Sequence, residues 1–118
     1  MNKANLNELA DLLDDLPEPE FDIQDWTHEC GAPACVVGHA TTLESWQAKG
    51  RLWFGDPVFD GCFGVEGFAR WAGINWGVAR TISAAGVAGA ACRFYAVEHL
   101  GLITPKIAAA ALRRYIAS

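Results

Sequence analysis

Asn5-Leu6-Asn7-Glu8-Leu9-Ala10-Asp11-Leu12-Leu13-Asp14-Asp15-Leu16, residues 5–16, is the stretch whose periodicity decides the fold class. At ~100° per residue its five leucines (Leu6, Leu9, Leu12, Leu13, Leu16) share an arc of about 120°, and Glu8, Asp11, Asp14 and Asp15 occupy the opposite arc. That is the pattern of an amphipathic helix. Asn5 followed by Glu8 resembles a capping box, and Pro17 supplies the stop, so the spacing predicts a helix over 5–16.

Working outward, Pro17 to Glu29 reads as an extended arm pinned to the core by Phe21, Ile23 and Trp26. Pro33 suits a first helical turn, and a second helix is expected from there to Ala48, before Gly50. Its apolar side holds Cys35, Val36, His39, Ala40, Leu43 and Trp46, with Gly38 opposite, where a missing side chain lets another backbone approach. Residues 50–64 carry Gly55-Asp56-Pro57 and Asp60-Gly61 turn signals around Trp53, Phe54, Val58 and Phe59, and admit one short hairpin. Val65 to Ala72 forms a short amphipathic helix with a Glu66–Arg70 pair, stopped by Gly73. Asn75 caps a helix to Ser83. Small residues fill 84–91, a helix is expected over Ala88 to Leu100 before Gly101, and Thr104-Pro105 opens a last helix to Ala117. On that helix Ile107, Ala111, Leu112 and Tyr115 face inward and Arg113 and Arg114 outward. The fold expected is mainly α, a single compact domain over 1–118 with about five to six helices. It divides into an acidic helix and linker (1–20), a motif arm and helix (21–50) and a helical C-terminal half (65–118).

Composition agrees with a globular chain: 118 residues, 52% hydrophobic and 19% charged. At this length roughly 65% of the unfolded surface is buried on folding, so neither metal nor disulfide is required. No apolar run approaches membrane length, and the acidic N-terminal segment resembles neither a secretory nor a transit peptide, so the expectation is a soluble cytoplasmic protein. In that compartment Cys30, Cys35, Cys62 and Cys92 are expected as free, buried thiols.

The formal charge of -5 is unevenly spread. Residues 1–30 hold nine acids against Lys3, a balance of -8, and the remaining 88 residues hold eight bases against five acids, a balance of +3. The two halves can attract each other, or the acids can meet a basic partner. The acidic side of the first helix continues through Glu18, Glu20, Asp22 and Asp25. Asp11, Asp14, Asp15, Glu18, Glu20 and Asp22 are the candidate partner-binding residues, together with Trp53 as an aromatic anchor beside Arg51. An acidic chain is poorly suited to direct nucleic-acid binding, which relies on phosphate neutralisation. Gly86-Val87-Ala88-Gly89-Ala90-Ala91 lacks the lysine of a phosphate loop and the preceding strand of a dinucleotide fold.

The most ordered segment is Phe21-Asp22-Ile23-x-x-Trp26-x-x-x-Cys30-Gly31-x-x-Ala34-Cys35-Val36-x-Gly38-His39-Ala40. Over these 20 residues the chain resembles a family of small bacterial and phage proteins that carry no assigned activity. Their signature runs F-D-M-x-x-W, a short gap, then C-G-T-x-x-C-I-A-G-W-A. Ala32 stands where threonine is usual and His39 where tryptophan is usual, and a position that takes tryptophan is unsuited to an obligatory ligand. The resemblance implies an architecture and a phage or mobile-element setting, and no chemistry.

Three chemistries compete for the motif. In the first, Cys30 is a nucleophile at a helix start, Gln24 an oxyanion donor spaced as in papain-like and bacteriocin-processing peptidases, and His99 the base. No Asp or Asn follows His99 to orient it, and His99 falls in a helical stretch. In the second, Cys30, Cys35, His39 and His28 enclose zinc, although the spacing matches no usual finger. In the third, which the residues favour, Gly31 makes a tight turn, Cys30 and Cys35 fill small interior volumes, and Gly38 permits close packing. The expected function is a non-enzymatic protein-binding module without cofactor: a phage or mobile-element accessory protein that inhibits a host defence complex by presenting its acidic surface to a basic one.

Overall fold

The leucine stripe forms its helix two residues earlier than its cap signal marked. In the computed structural model, which describes residues 1–118, helix α1 spans Lys3–Asp14. Its cap is Asn2, whose side-chain oxygen accepts from the Asn5 amide at 3.0 Å. Asn5 is not the cap; its side-chain amide donates to the Trp71 carbonyl oxygen at 2.9 Å. Leu6, Leu9 and Leu13 are fully buried, and Leu12 and Leu16 pack at the margin of the core.

The helix expected over 33–48 is two short ones, α2 over Val36–Ala40 and α3 over Glu44–Gln47. The break lies at Thr41-Thr42, whose hydroxyls donate to the Gly38 and His39 carbonyl oxygens at 2.6 and 2.7 Å. The same carbonyls accept the Thr41 and Thr42 amides at 3.3 and 3.1 Å, so bonding there tightens from i+4 to i+3 with the hydroxyls on the second lone pairs, and α2 ends. Pro33 does not start α2. It sits opposite Thr27 in an isolated antiparallel bridge, and the cap is Cys35, whose sulfur accepts from the Gly38 amide at 3.3 Å.

Residues 50–63 form more than one hairpin. Strands β1 (Gly50–Trp53), β2 (Asp56–Phe59) and β3 (Cys62–Phe63) make an antiparallel sheet in the order β1-β2-β3. Each tight turn has two consecutive left-handed residues: Phe54 and Gly55 at φ 48° and 83°, then Asp60 and Gly61 at 51° and 79°. Paired positive φ values give the turn whose twist matches that of the flanking strands.

Helix α4 (Gly64–Ala72) packs on β2 and stops at left-handed Gly73. The expected Glu66–Arg70 pair is absent, and Arg70 instead meets Asp60 at 3.4 Å. Helix α5 (Trp76–Ser83) starts as expected, with the Asn75 side chain accepting from the Val78 amide at 2.9 Å. Helix α6 covers Ala88–Tyr95 only. Ala96 turns left-handed at φ 57°, and the Val97 amide closes back on the Cys92 carbonyl oxygen at 3.0 Å. This helix-terminating pattern is usually supplied by glycine. The extension to Leu100 is therefore lost, and His99 is extended ahead of a 3-10 turn at Leu100–Leu102. Thr104 caps α7 (Pro105–Ala117), accepting from the Ile107 amide at 3.2 Å.

The result is seven helices and one small sheet, with one cluster of buried side chains drawn from both. At its centre Trp46 packs on Trp71 and Phe59, with ring centroids 5.7 and 5.3 Å apart. Both indole N–H groups are satisfied, Trp46 by the Val58 carbonyl oxygen at 2.9 Å and Trp71 by the Ser45 hydroxyl at 3.1 Å. Helices α1 and α7 pack side by side. No helix is long and apolar enough to cross a membrane.

Candidate functional site

The motif segment doubles back on itself. The Asp22 amide donates to the Ala34 carbonyl oxygen at 2.9 Å, the Ala34 amide to the Trp26 carbonyl oxygen at 3.0 Å, and the His28 amide to the Ala32 carbonyl oxygen at 2.8 Å. Ile23 is buried, and Phe21 and Trp26 pack against the core, so the arm is anchored by the three residues that sequence singled out. Gly31, at φ 89°, makes the turn at the tip. Gly38 is where the arm crosses α2: a Cβ there would lie 2.1 Å from the Trp26 carbonyl oxygen.

The two motif cysteines part company. Cys35 is buried at the start of α2, and burial pushes its thiol up to about 12, so it is a neutral interior group. Cys30 is exposed at the tip of the arm and fills no interior volume, contrary to the expectation that both pack inside. The cause is the fold-back, which carries residues 29–31 away from the core. All four cysteines are free thiols, and Cys62 and Cys92 are only half-buried.

The three residues of the nucleophile reading share no cavity and no hydrogen bond. Gln24 lines a cavity of about 310 Å³ with Ile23, Trp26, Cys35 and Ser83. Cys30 and His99 line none of the four surface cavities, and no hydrogen bond joins either to Gln24. For the zinc reading, Cys35 is turned to the Gly38 amide and Cys30 lies outside, and no three His, Cys, Asp or Glu side chains gather as a metal-holding group.

The two histidines do converge, although on a backbone oxygen. His39 Nε2 lies 2.8 Å and His28 Nε2 3.1 Å from the Glu20 carbonyl oxygen. As donors the two rings can use its two lone pairs, and this fastens the 3-10 turn at Glu18–Glu20 to α2. His39 also stacks on Phe21, with centroids 6.4 Å apart. Burial lowers its pKa below the usual imidazole range, against the Glu20 carbonyl and carboxylate, which favour the charged ring.

The candidate partner-binding acids fall into two groups. Arg113 reaches Asp11 at 2.8 Å and also bonds Asp14, while the Lys106 ammonium donates to the Asp14 carbonyl oxygen at 3.1 Å. These contacts join the first helix to the last and take Asp11 and Asp14 out of the free acidic surface. Asp22 accepts from the Gln24 amide at 3.0 Å. Asp15, Glu18, Glu20, Asp25 and Glu29 are exposed and form no ion pair.

Trp53 lies near the end of β1, 42% exposed, with the Arg51 guanidinium 5.9 Å from its ring centroid. Phe54, which the sequence sets beside Trp53 without marking it as a surface residue, and Phe63, which it does not mark at all, are 89% and 53% exposed and have ring centroids 5.1 and 6.0 Å from that of Trp53. The signal for Phe54 was its place before Gly55 in a two-residue turn. Phe63 had none, because its exposure depends on strand register. Compared with family models, curated proteins and solved structures, the chain matches none.

Proposed function

We propose that the chain is a non-enzymatic protein-binding module that engages a basic protein surface through the anionic stretch from Asp15 to Glu29. One observation carries this reading: Arg113 holds Asp11 and Asp14, whereas Asp15, Glu18, Glu20, Asp25 and Glu29 stand exposed without a counter-charge. Uncompensated carboxylates on one arm speed encounter with a cationic surface and disfavour nucleic acid and anionic lipid. The motif's family resemblance supplies the setting, a phage or mobile-element accessory protein that inhibits a host defence complex by occupying its basic groove.

The test is capture from a bacterial lysate by the wild type, by Cys30→Ala and by a triple Asp15→Lys, Glu18→Lys, Asp25→Lys variant, which leaves the partners of Arg113 in place. The expected result is a protein retained by the wild type and Cys30→Ala, released by rising salt and lost by the triple variant. Retention by the triple variant, or loss in Cys30→Ala alone, refutes the proposal.

A further inference from the structure

Strand β1 has an open edge whose geometry selects its own partner. Pro57 has no N–H, so Leu52 and Pro57, which face each other, form a non-hydrogen-bonded pair. The ladder to β2 therefore runs through Arg51 and Trp53, and the N–H and C=O groups of Gly50 and Leu52 point away from the sheet. No backbone hydrogen bond outside the ladder uses them. The register Arg51–Val58–Phe63 places Arg51 and Phe63 on one face, and Trp53 shares it by alternation. Trp53 and Phe63 are both exposed there. Unpaired groups beside an exposed aromatic face form a template for another strand.

We propose that two copies of the chain pair β1 with β1, antiparallel, about a two-fold axis at Leu52, joining their sheets into one. Only Gly50 and Leu52 have free edge groups, so the axis passes through one of them or through Arg51 between them, and centring on Arg51 sets Arg51 opposite Arg51 of the second copy, a like-charge pair. Centring on Gly50 sets Arg51 opposite Lys49 of the second copy, a repulsive pair. Centring on Leu52 sets Arg51 opposite Trp53 of the second copy, and symmetry makes that contact twice. Arg51 already lies over its own Trp53 ring, so the same cation–π chemistry is available between copies. At the axis each Leu52 amide donates to the Leu52 carbonyl oxygen of the other copy. Arg51 is the only charged residue on the strand and meets no like charge in this register. This surface is separate from the anionic arm, and the inference does not rest on the function proposed above.

The experiment combines sedimentation equilibrium with hydrogen exchange at the Leu52 amide, on the full chain from about 10 µM to about 1 mM. A monomer–dimer equilibrium is expected, with Leu52 protection rising with concentration. Arg51→Glu and Trp53→Ala, both checked for an unchanged far-UV spectrum, are each expected to raise the dimer Kd by about tenfold or more. A chain that stays monomeric overturns the proposal, and that includes the case in which the edge serves only a strand from another protein. A dimer whose Leu52 amide remains unprotected, or one indifferent to Arg51→Glu, overturns it as well.

Discussion

Replacing Gly38 by alanine puts a methyl carbon 2.1 Å from the Trp26 carbonyl oxygen and 3.2 Å from the carbonyl carbon. Carbon and oxygen at such crossings normally stay about 3.3 Å apart, so the arm or α2 has to move by roughly an ångström. Both collision partners are main chain, and no side chain can rotate out of the way. The same Trp26 oxygen accepts from the Ala34 amide at 3.0 Å, and a shift of that size breaks the bond. Overpacking costs about 1–3 kcal/mol and the lost hydrogen bond about 1 kcal/mol, against at most ~1 kcal/mol gained from alanine's helix propensity. The expected net loss is about 2–3 kcal/mol, read from the urea midpoint. Gly31→Ala is the control: no atom lies within 4 Å of the added carbon, and only its φ of 89° opposes the change. That variant should lose about 1–2 kcal/mol. A Gly38→Ala protein as stable as the wild type, or less damaged than Gly31→Ala, would refute the argument that close backbone contact is why the motif carries this glycine.

Tyr95→Phe removes the buried hydroxyl that donates to the Ile82 carbonyl oxygen at the C-terminal end of α5, and leaves that acceptor without its partner. A loss of about 1–2 kcal/mol in denaturant unfolding is expected. For His39, burial holds the folded-state pKa below the unfolded value, so the unfolded chain takes up a proton first as pH falls. Stability is therefore full above the ordinary imidazole range and declines as pH falls through about 6.5 towards the folded pKa, with Glu20 and His28 the facing ionisable groups. His39→Phe should flatten that part of a Tm–pH curve, and an unchanged slope would refute the assignment. In native alkylation followed by mass spectrometry, Cys30 should label first at an ordinary thiol rate, and Cys35 only on unfolding, because its thiol is buried and titrates at about 12. Hyper-reactive Cys30 would instead support the nucleophile reading. Arg113→Ala should cost no more than about 1 kcal/mol, and less at high salt, since its ion pairs are solvent-exposed.

Element ends were legible where local chemistry sets them. Pro17 follows α1, Gly73 turns left-handed after α4, Asn75 caps α5 and Thr104-Pro105 opens α7. Elsewhere the helical period runs through a break it cannot register. The apolar pattern from Val36 to Trp46 runs across Thr41 and Thr42, yet there the backbone bonds shorten to i+3 and the hydroxyls cap the Gly38 and His39 carbonyls. Ala96 is the best helix former by propensity, but here it is the left-handed residue that ends α6, next to a Tyr95 bonded to α5. The candidate site divides in the same way. Gly31 and Gly38 were readable as a turn and a close crossing, whereas the exposure of Cys30 follows from a fold-back stabilised by bonds between residues up to a dozen apart.

From the residues alone came the apolar stripe of α1, the arm that Phe21, Ile23 and Trp26 anchor, and the excess of acid in the first 30 positions. Each is a property of neighbours or of composition, so it exists before the chain folds. Which acids remain free was decided only when α7 came to lie beside α1 and brought Arg113 to Asp11 and Asp14, partners 102 and 99 positions away. The open edge of β1 likewise needed the register with Pro57, which no local period encodes. Charge pairing and edge exposure depend on distances between remote elements, and packing of the whole core sets those distances.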